Sequence, residues 1–146
     1  MALLKTWLNA FRLRTLPLAI SSILMGGFVA YSQGFSNPMV LTLAIITTLF
    51  LQILSNLAND YGDSDKGTDN LNRIGPERTV QSGAISKSTM LKAIIVLSIL
   101  SLVSGVYLIY FAFGYEYLIK SLLFLMAGIA AILAALKYTM GKNAYG

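Results

Sequence analysis

TLPLAISSILMGGFVAYSQGFSNPMVLTLAIITTLFLQILSNLAN, residues Thr15 to Asn59, contains no charged side chain. That is too long for one crossing of a bilayer, whose hydrocarbon core of about 30 Å takes about 20 helical residues. Its middle, Ser32-Gln33-Gly34-Phe35-Ser36-Asn37-Pro38, is rich in turn formers and divides the run. The pattern predicts one spanning helix near residues 15–31 and a second near 39–59.

Outward from this stretch, the polar segment Asp60–Lys92 holds five of the six acids and five of the eleven basic residues. Two further charge-free runs follow, Ala93–Tyr115 and Ser121–Leu136. They predict a third helix near 93–115 and a fourth near 117–136, where Lys120 snorkels and Tyr115 and Tyr117 suit the interface. The expected fold class is an all-α membrane protein of four transmembrane helices, with a polar loop over residues 60–92.

Orientation follows from counting. Lys5, Arg12 and Arg14 precede the first helix, five basic residues lie in the polar segment, and Lys137 and Lys142 follow the fourth helix. Four crossings put all ten on one side and leave Lys120 alone on the other. The positive-inside rule makes the crowded side the cytoplasm, so the inner (plasma) membrane is the expected location, with the amino terminus and the loop 60–92 cytoplasmic. The basic start and the apolar run after it loosely suit a signal peptide. That run exceeds a signal core, and no small-residue cleavage site ends it, so it is read as a retained helix. Ser22 and Gly26 on the first helix, and Ala127, Ala131 and Ala135 on the fourth, repeat at four-residue spacing, as close helix contacts do; small residues are also simply common in membranes.

Composition agrees. The hydrophobic fraction is 56% and the charged fraction 12%, about half of the ~25% usual in soluble domains. The net charge of +5 comes from basic residues placed between apolar stretches, without the interleaved aromatics of a nucleic-acid surface. With no cysteine and no histidine, disulfides, thiolate sites and histidine-held zinc or haem are excluded. A metal would need oxygen ligands, which favours magnesium or calcium.

Chemistry concentrates where the second helix ends, Ser55-Asn56-Leu57-Ala58-Asn59-Asp60-Tyr61-Gly62-Asp63-Ser64-Asp65-Lys66. If the helix persists to Asp63, then Asn56, Asn59, Asp60 and Asp63 fall at i, i+3, i+4 and i+7 on one face. Clustered carboxylates repel one another, and a divalent ion relieves the repulsion. Magnesium is commonly held by one or two carboxylates plus substrate phosphates, and Lys66, Arg73 and Arg78 supply the basic half of a diphosphate site. Spacing alone is equally compatible with a solvated helix end, and Gly62 and Gly67 suit either a tight turn or close approach of backbone to phosphate.

The strings NDYGDSDKGTD (59–69) and RIGPERTVQSGAIS (73–86) resemble the first aspartate-rich region of the UbiA superfamily of membrane prenyltransferases, in particular its naphthoate-prenylating branch. FRLRTLPLAISSILMGG (11–27) looks like the first helix of that family, and YTMGKNAYG (138–146) is similar to the segment after its fourth. The resemblance covers essentially the whole chain. It implies a partial UbiA-type helical bundle over 1–146 and Mg2+ as cofactor. Asn59 and Asp63 match metal ligands, with Asp69 as a further acid. Asp60 stands beside them, and Arg78 matches a diphosphate contact. Asp63 and Arg78 are the candidate catalytic pair, and Asn59, Asp60, Asp63, Lys66, Arg73 and Arg78 the candidate diphosphate-binding set. Gly67 departs from the superfamily pattern, which has an acid there; Lys142 matches a substrate contact poorly.

The implied reaction transfers a polyprenyl group from polyprenyl diphosphate to 1,4-dihydroxy-2-naphthoate with decarboxylation, giving a demethylmenaquinone. Family members are about twice as long and carry a second aspartate-rich motif, whereas no acid follows Glu116 here. The expectation is therefore an amino-terminal half, from a truncated frame or a fragment, inactive in isolation. The alternatives are a non-catalytic four-helix membrane protein that binds a partner, or a prenyltransferase for another aromatic acid.

Overall fold

The computed structural model describes residues 2–66, 79–141 and 144. Five helices follow in order: α1 (Ala2–Phe11), α2 (Leu16–Ser32), α3 (Pro38–Lys66), α4 (Lys87–Phe113) and α5 (Leu118–Thr139), with a short 3-10 turn at Leu13–Thr15. There is no strand among the described residues. Among the described residues four stretches are long and apolar enough to cross a membrane, Leu3–Ser32, Pro38–Asp65, Lys87–Phe113 and Leu118–Thr139. The outer surface is correspondingly greasy: Leu18 is 80% exposed and Ile119 75%, positions that only a lipid solvent accommodates in such numbers. The chain is a multi-pass helical membrane protein.

Local chemistry sets the helix ends. Pro17 stands in the first turn of α2 and Pro38 opens α3, where a missing N–H costs nothing. The Asn37 side chain accepts from the Met39 and Val40 amides at 3.1 and 3.2 Å, capping α3. Ser86 caps α4 through the Thr89 amide at 3.2 Å. Gly114 ends α4 at φ 60°, a backbone state that favours glycine.

Three features differ from the sequence expectation. Residues 2–11 form a helix of their own, because Trp7, Ala10 and Phe11 line one face and pack into the core. Helix α3 continues seven residues past Asn59, and α4 starts at Lys87, so residues 60–66 and 87–92 of the expected loop are helical. Charge marks where hydrocarbon ends, whereas a helix runs on until a cap or breaker stops it. Of the small-residue stripes, Ser22, Gly26, Ala127 and Ala131 are exposed and Ala135 is half-buried. Close approach occurs where Gly27 meets the Leu41 side chain and where Gly105 lies beside Thr47.

α3 packs most extensively along α4, and α2 and α5 also lean on it. The buried core lies toward one end of the bundle: Ala10, Leu54, Leu57, Val80, Ile85, Met90 and Ile94 cluster there. These residues come from α1, the late turns of α3, the segment entering α4 and the early turns of α4. The best-packed part of the molecule therefore surrounds the polar end of α3. There α5 also closes in, since a methyl group on Gly62 would overlap the Thr139 carbonyl.

Candidate functional site

Because α3 stays helical through Lys66, Asn56, Asn59, Asp60 and Asp63 do share one side of it. Burial then divides that side into two i, i+4 pairs. Asn59 and Asp63 are half-buried, whereas Asn56 and Asp60 are buried, Asp60 with only 2% of its surface exposed.

The buried pair belongs to a polar ladder with Gln52, one turn earlier. Gln52 donates to Thr15 Oγ1 at 3.4 Å. Asn56 Nδ2 donates to the Phe11 carbonyl at 2.9 Å and to Thr15 Oγ1 at 3.1 Å. Asp60 Oδ1 accepts from Arg12 Nη2 at 2.8 Å, and its Oδ2 accepts from Thr79 Oγ1 at 2.9 Å. All three rungs grip residues 11–15, the elbow between α1 and α2. At that elbow Arg12 has φ 51° and ψ 57°, a left-handed state that costs a side-chain-bearing residue on the order of 1–2 kcal/mol. The turn is closed by Thr15, whose amide and hydroxyl both donate to the Arg12 carbonyl, at 2.8 and 2.9 Å.

Asp60, expected among the diphosphate contacts, is turned into the protein, with the Arg12 guanidinium on one oxygen and the Thr79 hydroxyl on the other. The reason is helical geometry: residue 60 lies about 60° around the axis from residue 63 at 100° per residue, enough to move it from the open edge of the face to the α1 side. Sequence reasoning missed the ladder. Its signal was present in polar residues at four-residue spacing, 52, 56 and 60, matched by Arg12 and Thr15 three apart.

Lys66 ends α3, with its side chain outside the described residues, and Asp69, Arg73, Arg78 and Lys142 lie outside them altogether. The structure thus brings Asn59 and Asp63 together, while the basic half of the set stands only on the sequence. Among the described residues no three acids stand close enough to hold a metal by themselves. The donors present are an amide and a carboxylate one turn apart, hard oxygen ligands that suit magnesium when substrate phosphates complete its shell. Asp65, at the exposed edge, pairs with Lys87 at 3.2 Å and ties the start of α4 to the end of α3.

Further into the bundle a half-open apolar groove runs between α3, α4 and α5, with Leu51, Gly105, Phe124, Gly128 and Ile132 on its walls. Thr47 closes one side and donates to Ser104 Oγ at 3.0 Å, so its hydroxyl is satisfied in place.

Four apolar spans among the described residues, the longest helix carrying an amide and a carboxylate one turn apart near its polar end, define a helical membrane bundle. The chain belongs to the UbiA prenyltransferase family, whose model matches residues 19–145. It is 44% identical over 142 residues to the 1,4-dihydroxy-2-naphthoate octaprenyltransferase of Escherichia coli, covering 97% of this chain and 46% of that protein. It is 47% identical over 146 residues to the protein of the same name from Haemophilus influenzae, covering 98% of this chain and 46% of the relative. A more distant relative of that name, from Mycobacterium leprae, is 32% identical over 146 residues, all of this chain and 47% of the relative. The chain therefore spans about half the length of the curated relatives it matches. No solved structure matches it significantly.

Proposed function

We propose that this chain supplies the magnesium-diphosphate half of a polyprenyltransferase that acts on 1,4-dihydroxy-2-naphthoate at the cytoplasmic face of the plasma membrane. The observation that carries the reading is the half-buried Asn59 and Asp63 pair on a helix end immobilised by the ladder beside it. The relatives' names supply the substrates, and the extent of their likeness to this chain supports carrying them over.

Asn59 and Asp63, with Asp69 from the adjoining segment, would hold Mg2+, which when bound neutralises charge on the diphosphate leaving group. Arg78, with Lys66 and Arg73, grips the diphosphate oxygens and stabilises the charge that builds as the allylic C–O bond breaks. The electron pair of that bond leaves with the diphosphate. The ring carbon bearing the carboxylate attacks the allylic carbon; the ring-to-carboxylate bond then breaks, releasing carbon dioxide and restoring the aromatic ring. The apolar spans keep water from the allylic cation. Leu51 in the groove lies twelve residues before Asp63, about 18 Å along the helix axis, so the groove offers a wall for the isoprenoid tail while its diphosphate rests at the helix end.

The test is diphosphate release and prenylated-product formation by the purified chain in nanodiscs, given polyprenyl diphosphate and the naphthoate, with magnesium and then with chelator. Binding of magnesium diphosphate that chelation abolishes supports the site. A chain that binds without turnover favours a binding half over a complete catalyst, and a chain that binds nothing is a non-catalytic bundle.

A further inference from the structure

Asp60 has the most demanding surroundings of any acid among the described residues. A carboxylate with 2% exposure is costly to keep charged unless it is paired and hydrogen-bonded. Arg12 provides the charge at 2.8 Å and Thr79 a second hydrogen bond at 2.9 Å. The two partners come from different parts of the chain: Arg12 is the left-handed elbow between α1 and α2, and Thr79 opens the turn that leads into α4.

That turn is itself well fixed. The Ile85 amide donates to the Thr79 carbonyl at 3.0 Å, and the Gly83 amide to the Val80 carbonyl at 3.1 Å. Gly83 takes φ 73°, and Val80 and Ile85 are buried in the core. Asp60 therefore pins the folded turn 79–85 at Thr79, one position after Arg78 in sequence. On the other side it pins the elbow that Asn56 and Gln52 also hold. Asn59 precedes it by one residue, and Asp63 follows within a turn.

We propose that Asp60 is a positioning residue: with Arg12 and Thr79 it forms a three-way anchor that locks the α1 elbow and the chain entering α4 onto the helix end presenting Asn59 and Asp63. This rests on the reading of Asn59 and Asp63 as a magnesium-diphosphate face. The anchor acts through position, so removing either partner disturbs diphosphate binding although neither touches the metal.

The experiment uses the chain in nanodiscs, with magnesium plus inorganic pyrophosphate as the calorimetric probe. A spin label on A84C, in a chain that has no other cysteine, reports the mobility of the turn. The expected result is that R12Q and T79V each weaken pyrophosphate binding at least ten-fold and mobilise the label, at unchanged helical content. R12K and T79S, which keep the donors, stay within about three-fold of the parent. If D60N abolishes binding while R12Q and T79V leave both affinity and label mobility unchanged, Asp60 is a direct ligand and the anchor is overturned. Parent binding that none of the variants alters also overturns this inference alone. A parent chain that ignores magnesium pyrophosphate overturns the functional reading, and this inference with it.

Discussion

Asp63 and Asp60 stand three residues apart on one helix and meet different surroundings: Asp63 is half-buried at the edge, and Asp60 is sealed between a guanidinium and a hydroxyl. The same substitution should therefore have different consequences at the two sites. In the proposed site, Asp63→Asn removes the charge offered to the metal. The expected outcome is a loss of at least ten-fold in magnesium-dependent pyrophosphate affinity, about 1.4 kcal/mol. Calorimetry checks it; an unchanged dissociation constant would remove Asp63 from the site. Spacing alone made all four polar side chains of this face legible as a group. It did not separate them into two pairs, because the separation depends on where α1 returns to α3, a contact 48 residues distant in sequence.

At the scale of elements, helix ends answer to caps and close contacts more than to hydropathy. Ser86 stops the turn and starts α4 six residues before Lys92, the last charge of the polar segment. Ser86→Ala should cost about 1 kcal/mol, read as a lower midpoint of thermal or denaturant unfolding. Gly62 makes a stronger claim. It lets the end of α5 press on α3 backbone to backbone, beside Asp63, with Thr139 buried there. Gly62→Ala forces the two helices apart, for a stability loss of about 1–3 kcal/mol from overpacking, and Gly62→Leu should prevent a stable bundle. Retention of full stability by Gly62→Leu would show that α5 does not close on α3 there. The sequence marked Gly62 only as a turn or phosphate-approach glycine; its real neighbour is 77 positions away, which no local pattern reveals. The four spans, by contrast, were legible because a hydrocarbon solvent imposes its thickness on any sequence that crosses it.

For the molecule as a whole, the packed core and the candidate site share one end. α3 is 29 residues long, about 43 Å at 1.5 Å per residue, against a hydrocarbon layer of about 30 Å. On the proposed function, the excess serves to let its last turns, with Asn59 and Asp63, stand at the membrane surface, where a charged diphosphate would remain hydrated while its tail lies in lipid. This requires the elbow at Arg12, the end of α3, the turn at 79–85 and the end of α5 to occupy one face. It also requires the turns at 33–37 and 114–117 to occupy the other. Single cysteines in this cysteine-free chain test the arrangement. In intact cells a membrane-impermeant maleimide should label S36C and E116C and spare A84C and S88C until the membrane is opened. Labelling of A84C from outside at the rate of S36C would put the acidic helix end on the wrong side for a cytoplasmic donor. With it would go the argument that the excess length of α3 serves to hold a diphosphate at the inner surface.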